Sequence, residues 1–444
     1  MATYVKNMTT GSEIRHIAYF ALPLFVGNLF QQVYNFTNSI IVGKFIDKDA
    51  LAAVGATSSI TFLFYSLCLG LATGAGIIAS HHFGAGRIEE LKKSIINSAY
   101  VTILFGIIIS IISILVARDV LQLLNTPDAI IEDSTKYMRI SCAGTVAVAA
   151  YNWIASELRA LGDSRTPLIF LIFSCILNVI LDLFFILVLH MGICGAALST
   201  VLSQGVSAGI SILYALKNNS YFRFTKEHFL FDRTMFIQSI KIGMPIAAQS
   251  AMIAVSMVAL QRVVNGFGEN VVAAYTATMR IEQLVQQPFQ SLNSAISNFA
   301  GQNAGARKED RIIRGYHKCV LLVAGIAFFM FAIFMIFGHN IVGLFVNDAE
   351  VIRIGTNALR VSCCFYIFLG LIHITRGLLN GVGDTNYAMI NGLAEVIGRV
   401  GFSSILIHIP IVGIWAVWGT TALTWMLTAF ASIIRYRKRK WKLV

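Results

Sequence analysis

Asp182 is the residue in this chain that most needs a chemical explanation. It stands in the run Asn178-Val-Ile-Leu-Asp182-Leu-Phe-Phe-Ile, with no cation near it in an otherwise apolar stretch. A charged side chain at the centre of a bilayer costs about 2.5–3.5 kcal/mol on insertion scales. Residues four apart share a helical face, so Asn178 and Asp182 present two oxygen-bearing side chains side by side, and Ser174 extends the row. With a hydroxyl such as Thr200 from the following segment, that face could coordinate Na⁺ or hold a proton. The alternative is a structural carboxylate bonded to a neighbouring helix. The missing cationic partner favours the functional reading.

Other polar residues fall in patterns within apolar segments. Asn28, Gln31, Asn35 and Asn38 lie on one helical face, with Gln32 beside it, so the face turns to a wet cavity or to another helix rather than to lipid. A later stretch carries Glu282, Gln283, Gln286, Gln287, Gln290, Asn293 and Asn298 around Pro288, a second polar chamber in which Gln290 and Asn293 are cavity candidates. Glu282 is either a further titratable site or the partner of Arg280. Glu395 and Arg399, at i and i+4 with the acid first, have the favourable order for a helical ion pair. Gln249 stands where a carboxylate would make a further acidic site.

The elements that must carry these residues follow from composition. The 444 residues are 57% hydrophobic and 13% charged. Soluble domains carry roughly 25% charge, so the natural solvent for most of this chain is a lipid bilayer. A spanning helix needs about 20 apolar residues. Twelve segments qualify: 17–43, 50–82, 94–117, 137–161, 166–190, 192–216, 238–264, 271–302, 315–338, 355–380, 387–409 and 411–434. The first has no small-residue cleavage site and reads as a retained span. The fold expected is therefore an all-α membrane protein of twelve transmembrane helices.

The chain also repeats. His82-Phe-Gly-Ala-Gly-Arg87 returns as Asn303-Ala-Gly-Ala-Arg307, Leu161-Gly-Asp-Ser164 as Val382-Gly-Asp-Thr385, and Pro23 as Pro245. Two pseudo-symmetric six-helix lobes in one topology result, 1–216 and 238–434, joined by a polar cytoplasmic linker at 217–237 and followed by a basic tail at 435–444. Secondary transporters place their sites near the midplane between such halves. Most of the 34 Lys and Arg fall in the loops on the side of both termini; the positive-inside rule makes that side cytoplasmic. The net charge of +12 comes with no nucleic-acid motif. The seven cysteines form no CxxC pair, the histidines no HExxH, and no phosphate-binding GxxxxGK[ST] occurs. No enzyme constellation is present.

Pro23 followed by Gln31-Gln32-Val-Tyr-Asn-Phe-Thr-Asn38-Ser-Ile-Ile-Val-Gly43, then Ala50-Leu-Ala-Ala-Val-Gly55, Gln261-Arg-Val-Val-Asn-Gly-Phe-Gly268 and Phe299-Ala-Gly-Gln-Asn-Ala-Gly-Ala306, resembles the multidrug and toxic compound extrusion (MATE) family over nearly the full chain. The resemblance implies two lobes that open alternately to each side, and export of small amphipathic, often cationic compounds in exchange for Na⁺ or H⁺. It implies a monomer in the plasma membrane, of a bacterial inner or cell membrane type, with no cofactor beyond the coupling ion. In relatives with a first-lobe cation site the ligands are a span-one Asp, a span-five Asn and Asp, and a span-six Thr. Asn178, Asp182 and Thr200 match; Asn38 replaces the span-one acid. Relatives with a second-lobe site use a span-seven Glu, near which this chain has Gln249, leaving Glu282, Gln286, Glu395 and Arg399 as second-lobe candidates. A lipid-linked glycan flippase of the same superfamily is the alternative. Its pyrophosphate cargo calls for several intramembrane cations, and the spans hold few.

The charge asymmetry gives a first expected outcome. A reporter fused after Val444 should be active only where cytoplasmic reporters are; activity confined to the outside would reverse the topology.

Overall fold

A bilayer offers no water to bond exposed peptide groups, so spanning segments satisfy their backbones as helices. The computed structural model describes residues 4–46, 48–124 and 126–438; residues 439–444 of the expected basic tail lie outside it. The described residues form fourteen α-helices and no strand: α1 Glu13–Phe45, α2 Lys48–Gly84, α3 Ile88–Leu123, α4 Asp128–Ala143, α5 Thr145–Ala160, α6 Arg165–Leu183, α7 Gly192–Asn218, α8 Arg233–Asn265, α9 Glu269–Gly305, α10 Glu309–Gly343, α11 Ala349–Cys363, α12 Tyr366–Gly381, α13 Asn386–Leu406 and α14 Ala416–Lys438. The helices coincide with the twelve expected spans, except that spans four and ten are each two helices, α4–α5 and α11–α12. The breaks, at Gly144 and at Cys364-Phe365, occupy equivalent places in the two halves. The second break bends its span by 52°. Eight of the described helices are long and apolar enough to cross a membrane on their own, and nine when the bent pair is taken as one.

The chain divides into two compact units. One contains the N-terminal residues to Asn7 together with Val26–Ala247; the other contains Met8–Phe25 and the chain from Ala248 onward. Of the three divisions, the one between Asn7 and Met8 precedes α1, and the other two fall within a few residues of a helix-interior proline, Pro23 in α1 and Pro245 in α8. Proline removes a backbone hydrogen bond and weakens the helix at that point. In the first unit, small residues let helices meet at backbone distance. A Cβ on Gly74 would sit 2.6 Å from the Gly243 backbone of α8, so the Gly70–Gly76 stripe is a packing face.

The polar linker is docked on the first unit. Asn97 of α3 accepts the Asp232 N–H at 2.8 Å and donates to the Leu230 carbonyl, while the Tyr100 hydroxyl donates to the Phe229 carbonyl at 2.9 Å. His228 takes the Thr225 N–H on Nδ1 and meets Glu89 through Nε2 at 2.7 Å.

In the second unit the strap before α1 is fixed in a comparable way. Met8 N–H donates to Gln302, Lys308 donates to the Thr9 carbonyl, and Arg311 donates to the Gly11 carbonyl. Glu13, in the first turn of α1, is buried among Arg311, Arg314 and Lys318, with Lys318 Nζ 2.7 Å from Oε2. The Lys318 hydrogen bond above all holds the Glu13 carboxyl down to about 2.

Its folded value lies below the unfolded one, so the contribution of Glu13 is complete at neutral pH. It is lost as pH falls from about 4.5 toward 2. Glu13→Gln should loosen the strap by about 1–2 kcal/mol, the scale of charge-assisted hydrogen bonds with partly exposed donors. Trypsin should then cut faster after Arg15 in the detergent-solubilised protein at pH 7. An unchanged cleavage rate would mean that the backbone contacts at Met8 and Gly11 hold the strap alone.

Candidate cation-binding site

The face expected on span five forms in α6. Asn178 and Asp182 are both fully buried, and α7 packs against them with Ser199, Thr200 and Ser203. The Ser199 hydroxyl donates a short hydrogen bond to Asp182 Oδ1. With the Asn178 amide turned to match its neighbours, Nδ2 donates to Asp182 Oδ2 at 2.7 Å, and the amide oxygen accepts from the Thr200 N–H at 3.0 Å and its hydroxyl at 3.2 Å. The carboxylate therefore has one neutral donor on each oxygen, and no cationic side chain pairs with it among the described residues. Immediately after Asp182, residues Phe184–Val188 open into a π-turn. Such turns widen a helix and are frequent at functional sites.

Tyr34 of α1 faces Thr200, and both Tyr34 and Tyr137 lie near enough to Asp182 to feel its charge. Asn38 is half-buried, and its Oδ1 is a buried acceptor without a hydrogen-bond partner. No hydrogen bond joins it to Asn178, Asp182 or Thr200. The sequence reading had no signal for Ser199, Tyr34 or Tyr137. Hydroxyls are common in helices, and only the packing of α1, α4 and α7 around α6 selects these three. No cluster of three His, Cys, Asp or Glu exists among the described residues. The donors here are oxygens, suited to a proton or a hard cation rather than a soft metal.

The second-lobe candidates separate. Glu395 and Arg399 pair as expected, with Nη2 3.1 Å from Oε1, both buried in α13. Arg376, near the end of the expected span 355–380, is nearly buried in α12. It donates to Asn391 Oδ1 at 2.9 Å and approaches Glu395 Oε2 at 3.8 Å. Its long side chain reaches inward from the end of its helix, which position in the sequence does not reveal. Gln249 is buried and donates to the same Asn391 oxygen at 3.2 Å, and Asn391 donates in turn to Ser432 at 2.7 Å. Glu282 faces Ser362 and Arg399, and its Oε1 has no hydrogen-bond partner. Gln286 and Asn293 are half-buried, whereas Gln31, Asn35 and Gln290 are exposed.

Fourteen helices in two units, eight of them long and apolar enough to cross a bilayer, define a multi-pass helical membrane protein among the described residues. The MatE family model matches residues 23–184 and again 245–412, one match in each half. The chain belongs to this family, whose members are transporters that use ion coupling. It is 28% identical to the probable multidrug resistance protein YpnP of Bacillus subtilis (strain 168), over 98% of this chain and 97% of that one. It is 24% identical to the multidrug export protein MepA of Staphylococcus aureus (strain MSSA476), over 94% and 90%. Among solved structures, an outward-facing multidrug resistance MATE family transporter of the MOP superfamily superposes with a TM-score of 0.92 at 23% identity, covering 99% of this chain and 98% of that one. A MATE crystal structure in complex with MaL6 superposes with a TM-score of 0.91, also at 23% identity and over 99% and 98%.

The network around Glu395 carries a stability prediction. Removing one partner of a buried ion pair costs about 3–5 kcal/mol, because the remaining charge is stranded. Glu395→Gln strands Arg399 and Arg376 and should lower the melting temperature of the purified protein clearly. The double variant Glu395→Gln with Arg399→Gln should recover part of the loss. A double variant less stable than the single one would show that the guanidinium has other essential partners.

Proposed function

We propose that this protein exports small amphipathic, often cationic compounds in exchange for Na⁺ or H⁺, with the coupling ion held at Asp182. The observation that carries the reading is a fully buried carboxylate with two neutral donors and no cationic partner. A side chain in that condition needs a mobile positive charge, and a coupling ion supplies it. The ion would sit among Asp182, Asn178 and Thr200, with Asn38 offering a further free oxygen. Release of the ion leaves the charge unbalanced, so the lobe is driven toward the arrangement in which a cation or a cationic cargo can restore balance. The names of the relatives, multidrug resistance and multidrug export proteins, agree with such a cargo. The exposed amides Gln31, Asn35 and Gln290 would line its path.

The second half supports placing the ion in the first. The positions 221 residues after Asn178 and Asp182 are Arg399 and Ser403. A guanidinium at the equivalent place repels a cation. Glu395, Arg376 and Arg399 then serve as a fixed ion-pair network, with Glu282 and Gln286 beside the cargo path. The charge distribution supports cytoplasmic termini; in this reading a single chain in the plasma membrane is the working unit.

Asp182→Asn should abolish gradient-driven efflux from vesicles while leaving expression and folding near normal. Retained coupling would move the ion elsewhere, Glu282 first. Asn38→Asp restores the acid of the relatives. Two carboxylates in one pocket do not both ionise readily, so this variant should hold a proton at higher pH and shift the pH profile of efflux upward, with Asp182 still required. Superimposable profiles of wild type and variant at fixed Na⁺ would remove Asn38 from the site.

A further inference from the structure

A second acid is buried in the first unit, outside the Asp182 cluster. Glu157 of α5 has no exposed surface. Its Oε1 lies 2.8 Å from Ser98 Oγ on α3, and Oε2 has no hydrogen-bond partner. The same Ser98 oxygen receives the Trp153 indole N–H at 2.9 Å and lies 2.9 Å from the Ile95 carbonyl. The titratable groups toward this end of the packed elements include His81 and His82 on α2, Glu89, Glu90, Lys92, Lys93 and Tyr100 on α3, Tyr214 and Lys217 on α7, and Tyr151 and Arg159 on α5 itself. The Ser98 hydroxyl is the side chain that acts on Glu157.

Proton accounting at Ser98 assigns the state of this acid. A hydroxyl has one proton and two lone pairs. If Glu157 were ionised, the single Ser98 proton would be shared between Oε1 and the Ile95 carbonyl, as that of Ser199 is between Asp182 and the Ala196 carbonyl; unlike at Asp182, the second carboxylate oxygen would then have no donor at all. If Glu157 carries a proton, every contact on this side closes. Glu157 donates to Ser98 Oγ, Ser98 donates to Ile95, and the indole N–H fills the remaining lone pair.

The second half shows that packing does not require this acid. The positions 221 residues after Ser98, Trp153 and Glu157 are Cys319, Ile374 and Leu378. All three are buried in the core of the second unit. The repeated scaffold fills the spot with an apolar trio, whereas the first half keeps a buried acid whose desolvation is costly.

We propose that Glu157 is a second proton-binding site of the first lobe, separate from Asp182, which holds its proton in this conformation and exchanges it during transport. The exchange rests on the exporter reading; the bound proton does not. Ser98 adjoins Asn97, the residue that anchors the linker at Leu230 and Asp232. Loss of the proton would therefore pull on α3 within one residue of that anchor.

The test uses the purified full-length protein in lipid nanodiscs, as wild type, Glu157→Gln, Glu157→Leu and Asp182→Asn. Infrared difference spectra follow the carbonyl stretch of protonated carboxylic acids at pH 7, and a pH-indicator dye follows proton release on addition of tetraphenylphosphonium. The wild-type band should lose one carboxyl in both Glu157 variants and keep that component in Asp182→Asn. Proton release should fall by about one per chain in the Glu157 variants. The leucine variant copies the packing of the second half, so it remains informative if the glutamine variant does not fold. A band unchanged in both variants overturns the bound proton, and unchanged release overturns its exchange. A wild type that does not bind tetraphenylphosphonium would count against the exporter reading, while the infrared band would still decide the proton site.

Discussion

Inside a bilayer, a polar group that loses its partner cannot turn to water, and this constraint shapes nearly every feature of the molecule. It forces the backbone into helices and makes small residues the means of close packing, as where Gly74 meets Gly243. It also gathers buried polar side chains into compact groups with defined partners. The serine and threonine hydroxyls of the spans mostly bond back to their own helix, as Thr424, Thr428 and Ser432 do along α14. Groups that cannot be satisfied in this way stand out, and Asp182 and Glu157 are the clearest of them in the first unit.

The two halves share a scaffold but differ in their chemistry. Asn178 and Asp182 correspond to Arg399 and Ser403, and the Ser98, Trp153 and Glu157 group corresponds to Cys319, Ile374 and Leu378. The second half gives its buried Glu395 two cationic partners, Arg376 and Arg399. The first half leaves carboxyl groups without cations. Duplication preserves packing because helix lengths and small-residue contacts must remain complementary. It leaves the identity of individual buried polar residues free to diverge, provided that each finds a donor or a counter-charge.

Outside the membrane the constraint relaxes and different interactions take over. The linker and the N-terminal strap are held by backbone-directed hydrogen bonds and by ion pairs with partly exposed Lys and Arg. Each of them leads into a span interrupted by proline, α1 or α8, and in each the division between units falls close to that proline. A helix weakened in its interior and anchored at its entrance is suited to bending without coming loose.

The sequence by itself determined the helical class, the twelve spans, the doubling of the chain and the Asn178–Asp182 face. Each of these depends on local hydropathy, on helical period or on repetition, which are properties of neighbouring residues. It also identified the Glu395–Arg399 pair, because four residues along one helix fix that contact. Only the tertiary structure decided that Ser199 rather than Thr200 donates to Asp182 and that Arg376 turns inward to Glu395. Glu157, near the end of the expected span 137–161 with Arg159 two residues on, was not distinguishable from a charge at the membrane boundary until α3 brought Ser98 against it. Those choices depend on which helices touch and at what rotation, and in an apolar solvent many rotations bury a polar side chain about equally well until the neighbouring helix supplies its partner.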